Sequence, residues 1–353
     1  MSFLGRYILS LHTLEKFTND ALHLTPHSNT LSGFHYNKEL LKAASSNTYL
    51  ETVGNRADSL HLAIERSSIK DIKDSMFSRI IALSKPLNFQ EKNVIIAFDY
   101  TYWDFYGGSS SPWVRGWTGE NGIRGKFYFL TASVVNSDLR LPLISIPSTV
   151  INTTAYEIIS IMNVLKSYFR NIDLLLFDRW FYSKEIIMSL NNISNYLIFV
   201  KKDSDIKREL ESMEMGEKKI KIHEFSMYRD GKRIRDRTYI AFLKQIFDHR
   251  TEEYYDWAFA TNIKEVNLDE IIGKYKIRWR IENMFRVQDE ATIKSKSLNI
   301  NVRYFLFAYE QLLEAIWYIY YSKEVSFKRF VIEMSDACTA MVNSEEKKRA
   351  IRH

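Results

Sequence analysis

Residues 95–108 read IIAFDYTYWDFYGG (Ile95–Gly108): four apolar residues lead to one acid, Asp99, and then come aromatics and paired glycines. A short apolar run bounded by turn signals marks a strand buried on both faces. Residues 172–183, IDLLLFDRWFYS, repeat the form and end on Asp178. In an open α/β sheet, ligands collect beyond the carboxyl ends of the strands, so both acids are expected at one functional edge. If the two strands are neighbours, their carboxylates lie side by side, which is unfavourable unless a cation sits between them. Oxygen donors without a Cys or His cluster suit Mg²⁺ or Mn²⁺ in place of zinc.

Working outward, Asn93–Asp99, Lys126–Val135 and Leu139–Ile146 read as strands, the last two joined at Asn136-Ser137. Thr153–Arg170 has helical spacing, with Ile158, Ile161, Met162, Leu165, Tyr168 and Phe169 near one face. A strand at Ile172–Asp178, a helix at Ser183–Leu190 and a strand at Tyr196–Val200 follow, which together predict a mixed α/β sheet. From Lys201 the rhythm turns to β, with Asp230-Gly231 as the tight turn of a hairpin. Arg229, Lys232, Arg233, Arg235 and Arg237 give that hairpin a basic rim, suited to phosphate or equally to a solvated face.

The chain has 353 residues, 46% hydrophobic and 26% charged, with a net charge of +6. That bias favours a polyanionic partner without proving one. One cysteine, Cys338, excludes a disulfide framework and fits a reducing, intracellular setting. No secretory signal is expected at the N-terminus. Val302–Tyr321 is strongly apolar, yet Arg303, Glu310, Gln311 and Glu314 interrupt it, so it reads as a core helix and not a membrane span. Residues 37–83 read as short helices capped by Asn37, Asn47, Asp58 and Ser68, with Gly54 in a turn. Helix, Gly turn, helix is the form of a helix-turn-helix, although small bundles give it too. The eight histidines show no HExxH spacing and no hydrolase triad can be picked out.

A third acid is available on the helix opened by Asn267 and Glu270, LDEIIGKYKIRWRIENMFRVQDEATI. Tyr275, Arg278 and Glu282 share one stripe, continued by Arg286 and Asp289, while Ile272, Trp279 and Phe285 are placed to seat the helix on the sheet. A solvated, ion-paired helix face has the same pattern.

The acid after its apolar run at Asp99, the LLLFDRWFYS segment with Asp178, a β-rich insertion and YKIRWRIENMF together resemble the DDE transposases of insertion sequences, specifically the IS4-like group. Its Y-x2-R-x3-E signature is matched by Tyr275, Arg278 and Glu282, and the acids stand about 80 and then about 100 residues apart, in the family's order. The resemblance covers residues 90–320.

It implies an α/β fold: an RNase H-like mixed sheet flanked by helices, with a β-rich insertion, an N-terminal helical domain and C-terminal helices. The expected divisions are 1–90, the N-terminal helices with a candidate helix-turn-helix; 91–200, the first part of the catalytic core; 201–262, the insertion; 263–296, the helix with the third acid; and 297–353, the C-terminal helices. It also implies that Asp99, Asp178 and Glu282 are catalytic and bind two divalent ions, Mg²⁺ or Mn²⁺, for cleavage and strand transfer at element ends. Double-stranded DNA, both element end and target, is the implied partner, with a homodimer in the synaptic complex, in the cytoplasm of a prokaryotic-type cell at the nucleoid.

Tyr275 and Arg278 are the implied phosphate contacts. Asp289 stands where the family usually has Lys, so Lys294 or Lys296 is a substitute, and Trp180 stands where Gly is usual. The span from Gly107 to Lys126 holds six of the twelve glycines, with Trp113, Trp117, Arg115, Arg124 and Lys126 interleaved, a mix suited to DNA. Arg286, Arg233, Arg235 and, as a platform for an extruded base, Trp257 complete the candidate DNA contacts. Asp104 is a rival to Asp99. Two other readings stay open: a transposase-derived DNA-binding protein that no longer cuts, and a HAD-like phosphohydrolase, whose second acid is lacking at Thr101.

Overall fold

The computed structural model describes residues 3–24, 33–88, 92–108, 111–116, 122–136, 139–229 and 231–351. Trp117 and Asp230 lie outside them. The chain opens with helices α1 (Phe3–Leu22), α2 (Gly33–Ser46), α3 (Ala57–Arg66) and α4 (Ile69–Ser84). Ser68 caps α4 as expected, its Oγ accepting from the Asp71 N–H at 3.1 Å. Asn37, by contrast, is buried inside α2, donating to the Gly33 carbonyl at 2.8 Å. Asn47 has a φ of 48°, the left-handed conformation that ends a helix, so it is no N-cap either. Asp58 lies inside the first turn of α3.

Where the helix-turn-helix reading needs a second helix there is one 3₁₀ turn, Leu50–Thr52. Its backbone is spent elsewhere: Leu50 N–H donates to the Lys294 carbonyl at 2.8 Å, and Lys294 N–H to that of Thr48 at 3.0 Å. A Cβ at Gly54 would meet the carboxylate at the end of the Glu39 side chain, which would have to move aside.

The sheet is built from β1 (Val94–Phe105), β2 (Val114–Gly116), β3 (Gly125–Val134), β4 (Leu141–Pro147), then α5 (Thr154–Tyr168), β5 (Ile172–Phe177), α6 (Lys184–Leu190) and β6 (Tyr196–Phe199). α7 (Ser204–Glu211), β7 (Lys218–Arg229), β8 (Lys232–Asp248) and β9 (Glu253–Thr261) follow. Among the described residues nine strands form one mixed sheet in the order β2-β3-β1-β5-β6-β9-β8-β7, with β4 also on β3. The hairpin of the insertion is therefore continuous with the main sheet, because β9 pairs antiparallel with β6 from Leu197↔Thr261 to Phe199↔Phe259.

β1 does not end at Asp99. It runs on to Phe105 because β3 keeps pairing with it from Ile96↔Val134 to Phe105↔Gly125, and Thr101, Tyr102 and Trp103 are good strand formers. Lys126 accordingly lies in β3, and the expected Gly-rich loop contains strand β2.

The helical stretch after Asn267 is two helices, α8 (Ile271–Lys276) and α9 (Trp279–Gln288), meeting at Ile277 and Arg278. Asn267 makes a local turn with the Asp269 N–H, and Glu270 precedes α8 without a side-chain cap. Side-chain alternation divides the sheet. Ala97, Leu174, Leu176, Leu197 and Phe259 face Ile271, Tyr275 and Ile281 of α8–α9. Ile96, Phe98, Leu175 and Phe177 belong to the larger core, shared with α1–α6, α10 (Ile300–Tyr320) and α11 (Phe327–Ile351). Ile281, expected on neither face, seats α9; burying such a side chain contributes roughly 1.5–3 kcal/mol. Trp279, assigned to that role from sequence, instead lies under the Arg250 guanidinium at 4.0 Å. α10 is the buried core helix expected, and among the described residues no helix is long and apolar enough to cross a membrane.

Candidate active site

Parallel pairing of β1 with β5 stops at Phe98↔Phe177. Asp99 and Asp178 are each the next residue, so they stand adjacent at the point where the two strands part. By alternation with Ala97 and Leu176 both side chains lie on the face covered by α9. Asp104, five residues beyond Asp99 in an unbroken register, falls on the opposite face.

Glu282 is on the first turn of α9, above this edge. Arg278, at the junction of α8 and α9, connects it to the sheet: Nη1 donates to Asp99 Oδ2 at 3.0 Å and Nη2 to Glu282 Oε1 at 2.5 Å. Asp99 Oδ1 accepts from the Tyr100 N–H, and Asp178 Oδ1 from the Trp180 N–H, both at 2.8 Å. Burial pushes the Asp99 carboxyl up to about 7; the Asp178 and Glu282 charges add to this, while Arg278 opposes it. For Arg278, burial works against the charged form, but Tyr275, Asp99 and Glu282 more than offset it and raise its pKa.

The expected three-carboxylate cluster is thus not closed. Among the described residues no group of three acidic, His or Cys side chains is set to hold a metal ion. A guanidinium lies between two of the three acids, where a cation is called for. The donor set nonetheless fits a hard divalent ion: carboxylate oxygens only, one of them strongly desolvated, with a cation already standing among them.

Beside the acids opens a cavity of about 670 Å³ lined by Asp178, Phe199, Trp257, Tyr275, Arg278 and Glu282. Arg179, Lys201 and Lys202 also line it. Sequence reasoning passed over these three cations, although Lys201 and Lys202 follow β6 at the same strand-end edge that singled out the two aspartates. Two buried donors of the lining, Trp257 Nε1 and Arg278 Nε, have no partner among the described residues.

The other candidate contacts divide. Arg124, Arg233, Arg235, Arg286 and Lys294 are exposed. Tyr275 and Arg278 are only 3% and 5% exposed, and the Arg278 fork is taken by carboxylates and not open to phosphate. Lys126 is buried with its ammonium 3.4 Å from the centre of the Tyr102 ring. Arg115 is half-buried, bonded to Ser148 Oγ at 2.6 Å and stacked over Tyr100 and Tyr128. Trp257 packs on Phe199 and Phe259, leaving one edge toward the cavity.

The family model described as Transposase DDE domain matches residues 145–305, a span that contains Asp178 and Glu282 but begins after Asp99. The chain is similar in fold to the piggyBac transposase in a cryo-EM structure of its synaptic complex with hairpin DNA, at a TM-score of 0.56 and 11% identity over 98% of this chain and 81% of that one. No curated protein matches.

Proposed function

We propose that this chain, a DNA transposase of the DDE type with a mixed α/β, RNase H-like fold, cleaves and joins DNA strands at the ends of its own insertion element, using Asp99, Asp178 and Glu282. The YKIRWRIENMF run supports assignment to the IS4-like group. The observation that carries the reading is the adjacency of Asp99 and Asp178 where β1 and β5 part, with Glu282 tied to Asp99 through Arg278. The three carboxylates would hold two Mg²⁺ or Mn²⁺ ions, which when bound activate an attacking water or 3′-hydroxyl and stabilise the leaving 3′-oxygen.

In the reaction a water or hydroxyl oxygen bonds to phosphorus as the P–O3′ bond breaks in line. Arg278 holds Asp99 and Glu282 together, and with a divalent ion on these acids it would be free to hold a phosphate oxygen. Arg179, Lys201 and Lys202 neutralise the backbone entering beside Asp178, and the exposed Arg233 and Arg235 extend that contact along β8. The unpartnered Trp257 N–H and the aromatic wall around it receive an unstacked base. Arg124, Arg286 and Lys294 serve as outer contacts to element or target DNA. Two chains bring two ends together as a homodimer, in the cytoplasm at the nucleoid, a setting that suits a chain whose one cysteine, Cys338, is free and buried.

Asp178→Asn tests the reading. Divalent-metal-dependent cleavage of element-end DNA should be lost while binding of the same DNA stays near the wild-type level; undiminished cleavage removes Asp178 from the chemistry.

A further inference from the structure

The two acids are held together from behind. Phe98 and Phe177, the residues before Asp99 and Asp178, stack with ring centres 5.1 Å apart and planes 14° from parallel. Past that point the β1–β5 hydrogen bonds stop, yet a second ring pair continues the registry: Tyr100 on Phe181, 5.4 Å apart and 3° from parallel. Phe181 ends the short 3₁₀ turn Arg179–Phe181 that Asp178 caps. Tyr100 follows Asp99 and gives its N–H to that carboxylate at 2.8 Å.

The far end of Tyr100 is anchored as well. Its hydroxyl donates to Glu157 Oε2 at 2.7 Å. Glu157, on α5 and 1% exposed, also accepts from Ser148 Oγ at 2.8 Å and the Thr149 N–H at 3.1 Å. With these three donors Glu157 is fixed in place and turned away from the acids. A continuous set of contacts therefore runs from Glu157 through the Tyr100 ring to the turn that carries Asp178, and through the Tyr100 amide to Asp99.

We propose that Tyr100, Phe181 and Glu157 are positioning residues which set the spacing of the Asp99 and Asp178 carboxylates for divalent cations without touching the cations themselves. The inference rests on the reading that these acids bind such ions. Without the ring stack Asp178, one residue beyond its last strand pair, is held on the β1 side by no ladder hydrogen bond. Outer partners of this kind are commonly worth 10-fold or more in metal affinity.

The test is Mn²⁺ binding to the full chain, followed by the loss of the free-ion electron paramagnetic resonance signal, with thermal unfolding recorded beside it. Tyr100→Leu removes the stack and the anchor and should weaken Mn²⁺ binding about 10-fold. Tyr100→Phe keeps the stack, loses the hydroxyl's bonds to Glu157 and, at 3.4 Å, to Thr154 Oγ1, and should fall between that variant and wild type. Phe129→Leu disturbs a different buried pair, Phe129 on Phe307 at 4.3 Å, and controls for general loosening; it should bind as wild type. The proposal is overturned if Tyr100→Leu binds as wild type, or if Phe129→Leu loses as much. Should Tyr100→Leu fail to fold, Tyr100→Phe decides: affinity equal to wild type overturns the anchor. Wild-type protein that binds no Mn²⁺ instead sinks the underlying assignment of the acids.

Discussion

The guanidinium of Arg278 lies 3.0 Å from the Asp99 carboxylate, a buried pair that joins the α8–α9 junction to the middle of β1. The same side chain reaches Glu282, so one cation offsets charge on two acids with Asp178 close by. The pairing offsets like charge with no other cation present, and under the proposed function a divalent ion would replace the guanidinium instead of adding to it.

Arg278→Ala should therefore destabilise the metal-free protein by about 3–5 kcal/mol, the usual cost of breaking a buried pair from one side. Added Mg²⁺ or Mn²⁺ should recover more stability in the variant than it adds to wild type. Urea unfolding with and without the cation measures both. Equal cation stabilisation in the two proteins would show that Arg278 does not stand in the cation's place.

Arg233 and Arg235 are exposed along β8 and border a groove that also takes in Lys201, which is shared with the cavity beside Asp178. The groove's lining also carries Asp203, Asp205, Glu209, Glu224 and Asp236, so under the proposed function the two arginines, and not the groove as a whole, would contact a phosphate backbone leaving the acids. Replacing both arginines by Ala should lower the slope of log affinity against log salt by about 2, one per lost phosphate contact. Titration of element-end DNA over a range of salt reads this directly, and an unchanged slope assigns the arginines to a solvated face.

How much of this was legible in the sequence differs from place to place for physical reasons. Asp99 and Asp178 stood out because an all-apolar run ending in an acid is conspicuous at short range. The continuation of β1 to Phe105 was not, because its partner β3 begins at Gly125, beyond any local pattern. The stripe Tyr275, Arg278, Glu282 was readable as helical spacing, but the division into two helices at Ile277 and Arg278 and the reach of the guanidinium to Asp99, 179 residues earlier, carry no local signal. The N-terminal segment shows the converse. Asn47 and Gly54 carry turn signals that suit a helix-turn-helix, whereas the backbone near Leu50 is taken by Lys294, whose approach no local signal reports.

Trp257 offers a narrower test. Its indole is 9% exposed and its N–H has no partner among the described residues, although burial of an unbonded donor is costly. Trp257→Phe keeps an aromatic ring against Phe199 and Phe259 but removes the donor. Affinity for a DNA end carrying an unpaired base should fall by about 1 kcal/mol, that of one hydrogen bond, while affinity for the fully paired duplex stays unchanged. Equal losses on both substrates, in a competition assay, would place the residue in packing alone.

Glu314, in the middle of α10, gives a prediction about stability and pH. It is 1% exposed, and its Oε2 has no partner among the described residues. Its neighbour Glu310 differs in accepting from the Ile293 N–H at 2.6 Å and from Gln288 Nε2 at 3.1 Å. Burial pushes the Glu314 carboxyl well above the usual range, opposed only partly by the charge of Arg140. A raised folded value means that the native state keeps a proton the unfolded chain gives up. The associated stabilisation is complete below the unfolded value near 4.5 and is lost as pH rises toward the folded one, at about 1.4 kcal/mol per pH unit within that window. Glu314→Gln stays neutral and escapes the loss, so its stability relative to wild type should rise between about pH 5 and about pH 8.5. Glu310, also raised well above its usual range by burial, leaves part of the alkaline weakening in the variant. Denaturant unfolding of both proteins at the two pH values decides, and a difference that does not change with pH would mean that Glu314 is already ionised in the fold.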